Sequence, residues 1–382
     1  MLVSPTKGWR VVVSELGETP LDAVEKYVAL QPTEGPDPAT LSPKDVLVEV
    51  KSAAVAWVDL LMTSGQYQHA PAVPYTPGME YAGVVAWKGA DVGDRLSVGD
   101  RVLSDPVRTG PRSSGAYQRW GGWATHAVAP ADALQAIPAN LSFDEGCNLL
   151  GNYETAYHCL VARGRLREGE TVLVHGASGA TGLAAVQIAK LLGATVIATG
   201  RSEDKLRLVT AQGADHVVRT TSAEGRLEPF RDRIKELTGG RGVDVVYDAV
   251  GGEISVESLR CVAFGARFLI VGWAATPFVA LGRGGRGAPN ANLLPTNLIM
   301  MKGLDVLGCP TAISTIKDPS IRAPRLARIL EWAEQGRLRP HVSHRFPLSA
   351  IHVAMRAKWA GEVTGGCVVH PGSGETGGTV VG

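Results

Sequence analysis

Residues 171–200 read TVLVHGASGATGLAAVQIAKLLGATVIATG, and this stretch decides how the second half of the chain folds. The apolar run 171–174 predicts a short strand, and the nearly continuous apolar segment 180–192 predicts a buried helix. Gly193 is placed to end that helix as a left-handed cap residue. The run 195–199 then predicts a second strand. A strand, a glycine turn, a helix and a strand in about thirty residues form the βαβ unit that binds a dinucleotide.

The glycine turn explains why this unit suits a cofactor. Gly176, Gly179 and Gly182 follow the spacing G-x-x-G-x-x-G, and glycine lets the backbone approach a pyrophosphate closely. The free N–H groups and the dipole at the start of the helix attract negative charge. The residues predicted to contact the cofactor phosphates here are Ser178, Gly179, Ala180 and Thr181.

The end of the second strand predicts which dinucleotide binds. An NAD site needs an acidic residue there to hold the ribose 2′-hydroxyl. This chain instead has Gly200, Arg201 and Ser202, with Lys205 one turn later, and the first carboxylate is Glu203. Two cations and a hydroxyl group suit a 2′-phosphate, which favours NADPH. Ser202 is also suited to cap the following helix, and the two roles are compatible because a helix start is itself an anion site.

Length and composition limit the remaining possibilities. A chain of 382 residues predicts two domains, and a net charge of +1 gives no indication of a polyanionic partner such as nucleic acid. No apolar run is long enough to span a bilayer, and the N-terminus lacks the pattern of a signal peptide. The five cysteines are scattered without a C-x-x-C pair, which predicts reduced thiols and a cytoplasmic protein without membrane contact.

The texture of the chain changes near residue 151. Before it, short β-branched or alternating runs separated by proline and glycine predict an all-β domain, with a long loop at 104–122. After it, strands and helices alternate, which predicts a doubly wound parallel sheet of six strands. The predicted strands are 11–13, 46–50, 81–85, 101–103, 124–129, 171–174, 195–199, 217–218, 243–248, 267–271, 304–308 and 366–370. The other predicted helices are 228–237, 252–264, 322–335 and 350–359.

Several motifs resemble the medium-chain dehydrogenase/reductase superfamily, in its zinc-free quinone oxidoreductase branch, which includes zeta-crystallin-like proteins. The resemblance covers nearly the whole chain in the right order. It implies a GroES-like β-rich catalytic domain at 1–151 and 311–382, and a Rossmann NADP-binding domain at 152–310. The motifs are PGMEYAGVV (77–85), VGDRV (98–102), GGWATHAVAPADAL (121–134), NYETAYHCL (152–160), VLVHGASGATGLAAVQIAKLLGATVIAT (172–199), GRGVDVVYDAVGG (240–252), NLIMMKGLDVLG (297–308) and GRLRPHVSHRFPL (336–348).

The superfamily's alcohol dehydrogenases use zinc, and their motifs can be matched to this chain. The first cysteine ligand falls on Ala56, the histidine on Met79 and the second cysteine near Gly151, while Glu80 is kept. The loop that holds a structural zinc in those enzymes corresponds to 96–120, which contains no cysteine. A catalytic zinc needs three such ligands, so the sequence predicts no metal site.

The resemblance therefore implies hydride transfer from NADPH to a quinone, or to the C=C bond of an α,β-unsaturated carbonyl compound such as an enone, enal or enoyl thioester. Tyr67 matches a tyrosine of the family and is the candidate catalytic donor to the developing oxyanion. The family's asparagine and second tyrosine are replaced by Ala56 and Leu61. The residues predicted to line an apolar substrate pocket are Trp57, Tyr67, Trp120 and Tyr153. Packing roles for Tyr67 in a loop and for Trp57 in the barrel core are the alternatives.

By analogy with the family, Asn152 and Thr155 face the nicotinamide end of the cofactor. Val271, Gly272 and Trp273 end the fifth strand at the carboxyl edge, where cofactors sit in such sheets, and Asn297 resembles a cofactor-contacting position of the branch. Asn152 is equally suited to cap a helix. The apolar run 304–308 is predicted to be the outermost strand of the sheet, and pairing of two such strands predicts a homodimer. The alternative is a monomer in which the insertion at 280–292 covers this edge.

Two other functions remain open. One is a zinc-independent oxidoreductase acting on alcohols and ketones. The other is a non-catalytic NADPH-binding protein that contacts RNA through the Gly/Arg-rich stretch LGRGGRGAP at 281–289. A surface insertion is the simpler interpretation of that stretch, so nucleic acid is not an expected partner.

Overall fold

The computed structural model describes residues 7–67, 71–274 and 292–372. These residues form two compact units. The first unit comprises the described parts of 1–151 and 339–382, and the second comprises the described parts of 152–281 and 288–338. The Gly/Arg-rich stretch 281–289 lies outside the described residues. Every residue predicted to bind the cofactor or the substrate is described.

The strands of the described residues are, in chain order, β1 (Lys7–Val13), β2 (Val28–Glu34), β3 (Asp45–Ala54), β4 (Tyr81–Lys88), β5 (Arg101–Ser104), β6 (His126–Pro130), β7 (Leu134–Ala136), β8 (Thr171–Val174), β9 (Thr195–Gly200), β10 (His216–Arg219), β11 (Val243–Asp248), β12 (Val262–Ile270), β13 (Asp305–Gly308), β14 (Val342–Pro347) and β15 (Gly366–His370). The α-helices are α1 (Pro20–Lys26), α2 (Trp57–Thr63), α3 (Phe143–Gly146), α4 (Leu150–Tyr157), α5 (Ala180–Leu191), α6 (Glu203–Ala211), α7 (Arg231–Leu237), α8 (Glu253–Ser258), α9 (Thr296–Lys302), α10 (Thr311–Lys317), α11 (Arg322–Glu334) and α12 (Ile351–Trp359).

The first unit is rich in β-structure. Its main sheet has the order β14-β15-β3-β4-β5-β7, with β6 paired to β3, and β1 and β2 form a separate antiparallel pair. Alternating residues of β3 such as Val48 and Val50 are buried, as are Tyr81 and Trp123. The Trp123 indole donates a 2.9 Å hydrogen bond to the Ala54 carbonyl and so ties a loop to the end of β3. This core holds the segments that precede α2 and β4.

The second unit is built on a six-stranded sheet with the order β10-β9-β8-β11-β12-β13. All its neighbouring strands are parallel. Strand β8 lies between β9 and β11, so the strand order reverses beside it. In such sheets ligands bind beyond the carboxyl ends of the strands at this point. The β-rich unit and the doubly wound parallel sheet confirm the predicted fold class.

The βαβ unit has nearly the predicted boundaries. Strand β8 matches 171–174, α5 ends one residue before the predicted end, and β9 extends to Gly200. Gly193 follows α5 with φ of +76°, the left-handed conformation expected of a residue that ends a helix.

Two sequence predictions need correction. The helix expected at 252–264 ends at Ser258, because Val262 already pairs with Val243 at the start of β12. The chain was also expected to return to the first domain after Pro310, but the compact division falls after Leu338. Helices α10 and α11 belong to the second unit.

An ion-pair cluster explains the later return. The carboxylate of Glu154 in α4 accepts hydrogen bonds from Arg322 and Arg325 of α11, at 3.0–3.2 Å. All three side chains are buried. Buried charges need partners, so α11 is held against α4 within the second unit.

Two general features complete the description. Within the described ranges, the helices are too short or too polar to cross a bilayer. Each of the five cysteines is buried with a free thiol.

Candidate functional site

The three glycines of the turn after β8 have different structural roles. Gly176 has φ of +65°, which disfavours other residues. Gly182 lies against the turn, since a Cβ there would be 2.3 Å from the Gly176 carbonyl oxygen. Gly179 has an ordinary extended backbone, with φ of −75° and ψ of 164°. A Cβ on Gly179 would meet only that same oxygen, at 3.4 Å. Nothing in the described chain requires glycine at 179, so the open space there suits a ligand.

The start of α5 is an anion site by its construction. Gly179 is the N-cap and supplies no side-chain acceptor, and the first turn contains no acidic residue. The first N–H groups of a helix have no partner within the helix, so a phosphate group can satisfy them. Thr181 donates a 3.0 Å hydrogen bond to the side-chain oxygen of Asn152, which brings two predicted cofactor residues together. Ser178 and Ala180 flank Gly179 and are half-buried.

The end of β9 presents positive charge. Arg201 follows Gly200 and is exposed, and in the part of the chain that the structure describes no carboxylate forms an ion pair with it. The nearby acids are engaged elsewhere: Glu203 lies 3.8 Å from Arg219, and Asp204 pairs with Arg207.

Ser202 caps a helix, a role that is compatible with phosphate binding. Its hydroxyl accepts from the backbone N–H of Lys205 at 3.5 Å and caps α6. The Lys205 side chain is half-buried. The end of β9 therefore combines a helix start with the Arg201 guanidinium, while acids at the same helix start are directed to other arginines.

Beyond β11 lies a buried polar network that the sequence reasoning did not identify. The Asp248 carboxylate accepts from the N–H groups of Val250 and Gly251, both at 2.9 Å, and from the Ser255 hydroxyl. It thereby shapes the loop after β11, directly across the switch point from the glycine turn; Val250 lies 3.2 Å from where a Cβ on Gly176 would stand. The sequence signal for this network is an acidic residue, Asp248, at the end of a strand and shortly before Gly251 and Gly252.

His175 belongs to the same region. Its ring nitrogens contact the Thr199 hydroxyl at 2.7 Å and the Ser258 hydroxyl at 2.6 Å. Burial lowers the pKa of His175 to about 4, so the ring is neutral at pH 7. His175 lies in the turn directly after β8, and it links the ends of β8, β9 and α8.

The other residues predicted to contact the cofactor lie at the carboxyl edge of the sheet and on α4 and α9. The N–H groups of Val271 and Gly272 donate to the Asp248 carbonyl at 2.8 and 3.2 Å. Trp273 follows them and is 48 % exposed. Thr155 is half-buried in α4, and Asn297 is exposed in the first turn of α9.

In the first unit, Trp57, Tyr67 and Trp120 are each half-buried. Trp57 stacks on Trp359, with ring centroids 5.1 Å apart and planes 4° from parallel. The Arg119 guanidinium lies 4.7 Å from the centroid of the Trp120 ring. Tyr67 packs against the hydrophobic core of the unit.

Tyr153, the fourth residue predicted to line the pocket, does not fit that role. It lies in the second unit and is 2 % exposed, and its hydroxyl donates to the Gln187 side-chain oxygen at 2.7 Å. Tyr153 therefore joins α4 to α5 in the interior. A helical pattern does not reveal which face is covered by a neighbouring helix, which is why sequence reasoning placed it at the pocket.

Comparisons with known proteins show which family the chain belongs to. The alcohol dehydrogenase GroES-like domain model matches residues 42–139, and the zinc-binding dehydrogenase model matches 180–318. Quinone oxidoreductase-like protein 2 of Rattus norvegicus is 32% identical over 331 residues, which cover 85% of this chain and 86% of the relative. The chain belongs to the medium-chain dehydrogenase/reductase superfamily. Its relatives place it in the quinone oxidoreductase branch, and it is an oxidoreductase of that superfamily.

Two solved structures extend the comparison over the whole fold. An NAD-dependent alcohol dehydrogenase is 29% identical with a TM-score of 0.76, over 95% of this chain and 100% of that one. A mycobacterial protein solved in complex with NADPH is 25% identical with a TM-score of 0.74, over 95% of this chain and 100% of that one.

Membership in this superfamily makes zinc the metal to test. The positions matched to zinc ligands fall on Ala56, on Met79 and near Gly151, and none of these three residues has a ligating group suited to zinc. At position 151 a side chain would also collide with Glu80, since a Cβ there would lie 2.7 Å from a Glu80 carboxylate oxygen. No group of three or more His, Cys, Asp or Glu among residues 7–67, 71–274 and 292–372 is arranged to hold a metal. The residues present do not fit zinc.

Proposed function

We propose that this protein is an NADPH-dependent oxidoreductase that reduces a quinone, or the C=C bond of an α,β-unsaturated carbonyl compound, without zinc. The observation that carries the proposal is the end of β9. An exposed Arg201, which forms no ion pair with any carboxylate of the described residues, stands there beside a helix start, where an NAD site would have an acid. The mycobacterial structure that contains NADPH supports the same choice of cofactor.

The second unit supplies the residues that would hold this cofactor. The start of α5, at Gly179 to Thr181, would bind the pyrophosphate, and Arg201, Ser202 and Lys205 would bind the 2′-phosphate. Asn152 and Thr155 are proposed for the nicotinamide side. Val271, Gly272, Trp273 and Asn297 are proposed as further contacts to the cofactor. When bound, NADPH supplies the hydride for the reduction.

Replacing Arg201 by alanine is expected to raise the dissociation constant of NADPH by about tenfold or more, because charge-assisted hydrogen bonds to phosphate contribute about 1.5–3 kcal/mol. The dissociation constant of NADH, which lacks the phosphate, should hardly change. Arg207→Ala is the matched control, since Arg207 lies in α6, which begins two residues after Arg201, and already pairs with Asp204. Titration of the cofactor fluorescence measures the dissociation constants of NADPH and NADH for each variant and for the wild-type protein. Equal losses for NADPH and NADH in Arg201→Ala would refute the phosphate role.

Tyr67 is our proposed hydrogen-bond donor to the oxygen that becomes negative during reduction. Tyr67→Phe is expected to leave NADPH affinity unchanged and to lower kcat for an enone by about a hundredfold, the usual contribution of a positioned acid. The loss with a quinone should be smaller, because a reduced quinone can take its protons from water. Steady-state kinetics with both substrates test this. An unchanged enone rate would assign Tyr67 to packing.

The function itself is tested by following NADPH oxidation with a quinone, an enone and crotonyl-CoA in turn. Consumption of NADPH with any of them supports the proposal. The second candidate is a zinc-independent alcohol or ketone oxidoreductase, which the similarity to an NAD-dependent alcohol dehydrogenase favours. Reduction of NAD⁺ by an alcohol, without turnover of the three acceptors, would establish that candidate instead. Cofactor binding without turnover of either kind would indicate the non-catalytic alternative.

We also propose that the protein is a homodimer joined through β13, and that it acts in the cytoplasm. Strand β13 is at one end of the six-stranded sheet, so one of its edges pairs with no strand of that sheet. Phe264 beside it is 82 % exposed, and Met300 and Met301 of α9 are also exposed. The Phe264 ring lies 3.2 Å from where a Cβ on Gly303 would stand, so these apolar groups adjoin one another. A second copy of the chain would cover them.

A further inference from the structure

Two buried carboxylates of the first unit accept hydrogen bonds from backbone N–H groups. Asp59, in α2, is 0 % exposed and accepts from Ala56 at 3.0 Å, from Gly78 at 3.2 Å and from Met79 at 3.1 Å. Glu80, immediately before β4, is 6 % exposed and accepts from Gly151 at 2.7 Å.

The donors are not scattered over the unit. Ala56 and Met79 match two of the positions that hold zinc ligands in metal-dependent members of the superfamily, and Gly151 lies near the third. The N–H group of each of these residues donates to Asp59 or Glu80. Three segments that are distant in sequence are thus held together by carboxylates.

We propose that Asp59 and Glu80 are positioning residues that hold these three segments in the arrangement required by the substrate. This inference rests on the proposed reductase function. Asp59 bridges the start of α2 to the segment before β4, and Glu80 bridges that segment to the start of α4. The arrangement therefore forms in a chain whose residues do not suit zinc.

The substrate side of the site follows from the position of Asp59. One of its carboxylate oxygens binds the Ala56 N–H group and the other binds Gly78 and Met79. Helix α2 begins at Trp57, directly after Ala56, so the bond to Ala56 sets the direction in which the Trp57 ring leaves the helix. That ring is half-buried and is fixed on its other side by the stack with Trp359.

Burying Asp59 is unfavourable for its charge, and the three N–H groups that it binds partly offset this cost. Burial raises the pKa of Asp59 to about 6, and the three N–H bonds and the Arg112 charge only partly oppose this. Tyr75 also faces Asp59, and its buried hydroxyl has no hydrogen-bond partner within the described chain. An apolar residue would avoid the cost of burying the charge, but it would release all three N–H groups.

The test combines amide hydrogen exchange with kinetics on Asp59→Asn, Glu80→Ala and Glu80→Gln. The asparagine side chain has one acceptor oxygen, whereas Asp59 accepts hydrogen bonds with two. Hydrogen exchange should therefore become faster at the amide of residue 56, or at the amides of residues 78 and 79. With an unsaturated carbonyl substrate, kcat should fall by about tenfold to a hundredfold, since small misplacements at a site have effects of this size. Glu80→Gln keeps an oxygen for Gly151 and should retain more activity than Glu80→Ala.

Asp105→Asn is the matched control. Asp105 is also a buried carboxylate of the first unit, and it accepts from the N–H group of Val107 at 2.8 Å. It bridges none of the three positions, so its variant should keep wild-type kcat and KM. The dissociation constant of NADPH should be unchanged in Asp59→Asn and Asp105→Asn, because both residues lie in the first unit and the proposed cofactor residues lie in the second.

The outcomes of these experiments distinguish the positioning role of the two carboxylates from the proposed reductase function. Unchanged exchange at residues 56, 78, 79 and 151 in Asp59→Asn and Glu80→Ala would overturn the positioning role. So would a lowered Tm with wild-type kcat and KM, since that pattern is purely structural. If the wild-type protein reduces none of the three acceptors, the proposed function fails, while the exchange pattern still decides whether the carboxylates hold the segments. Should Asp59→Asn not fold, the contrast between Glu80→Gln and Glu80→Ala remains decisive.

Discussion

Replacing Gly179 by alanine is expected to weaken the binding of NADPH and NADH alike by about tenfold to a hundredfold, the cost of overpacking a tight site. The Tm should stay the same. Gly179 has a backbone conformation that alanine adopts readily, and the added Cβ would lie 3.4 Å from the nearest atom of the chain. The fold accepts the methyl group, but a pyrophosphate at the start of α5 would meet it. Calorimetric titration and a thermal melt measure the two effects.

Gly182→Ala is the informative comparison. A Cβ there would lie 2.3 Å from the Gly176 carbonyl oxygen and 2.8 Å from the Ala177 Cα atom, both of which are backbone. We therefore expect a lower Tm by several degrees, because overpacking typically costs about 1–3 kcal/mol. Normal affinity of Gly179→Ala for both cofactors would show that the pyrophosphate binds elsewhere.

Val306→Lys is expected to convert a dimer into monomers or aggregates. Val306 is half-buried in β13, at the end of the six-stranded sheet. If two copies pair there, each lysine charge would enter an apolar interface, and the desolvation penalty of several kcal/mol would raise the dimer dissociation constant by at least about a hundredfold. Light scattering after size-exclusion chromatography gives the mass of each species.

A control separates this effect from general changes in charge. Val98 is exposed in the first unit, so Val98→Lys adds the same charge away from β13 and should leave the dimer intact. A dimer that survives Val306→Lys would place the interface on another surface, and a monomeric wild-type protein would contradict the dimer itself.

The local parts of the fold were predictable because their signals are local. Strand β8, helix α5 and the left-handed Gly193 follow from apolar periodicity and glycine placement within thirty residues. Strand β2 reads VALQPTE and was missed, because it contains a proline and its apolar residues do not alternate along its length. Strand β14 reads VSHRFP and has the same difficulty.

Features that depend on distant partners could not be predicted. The return to the first unit depends on a contact between Glu154 and Arg322, which are 168 residues apart in sequence. The same holds for the site. Arg201 was identified because it directly follows a strand, whereas His175 became significant only when Thr199 and Ser258 were seen beside it. The bridging role of Asp59 likewise depends on Gly78 and Met79, which a linear pattern does not connect to it.

The cluster around Glu154 constrains how this protein can diverge. Loss of the Glu154 carboxylate alone would leave the guanidinium groups of Arg322 and Arg325 buried without their anion, and loss of either arginine would weaken the neutralisation of the carboxylate. Replacing any one of the three residues alone therefore gives a less stable protein. An apolar trio of similar volume could be as stable as the charged one. Relatives should therefore keep all three residues or exchange all three together.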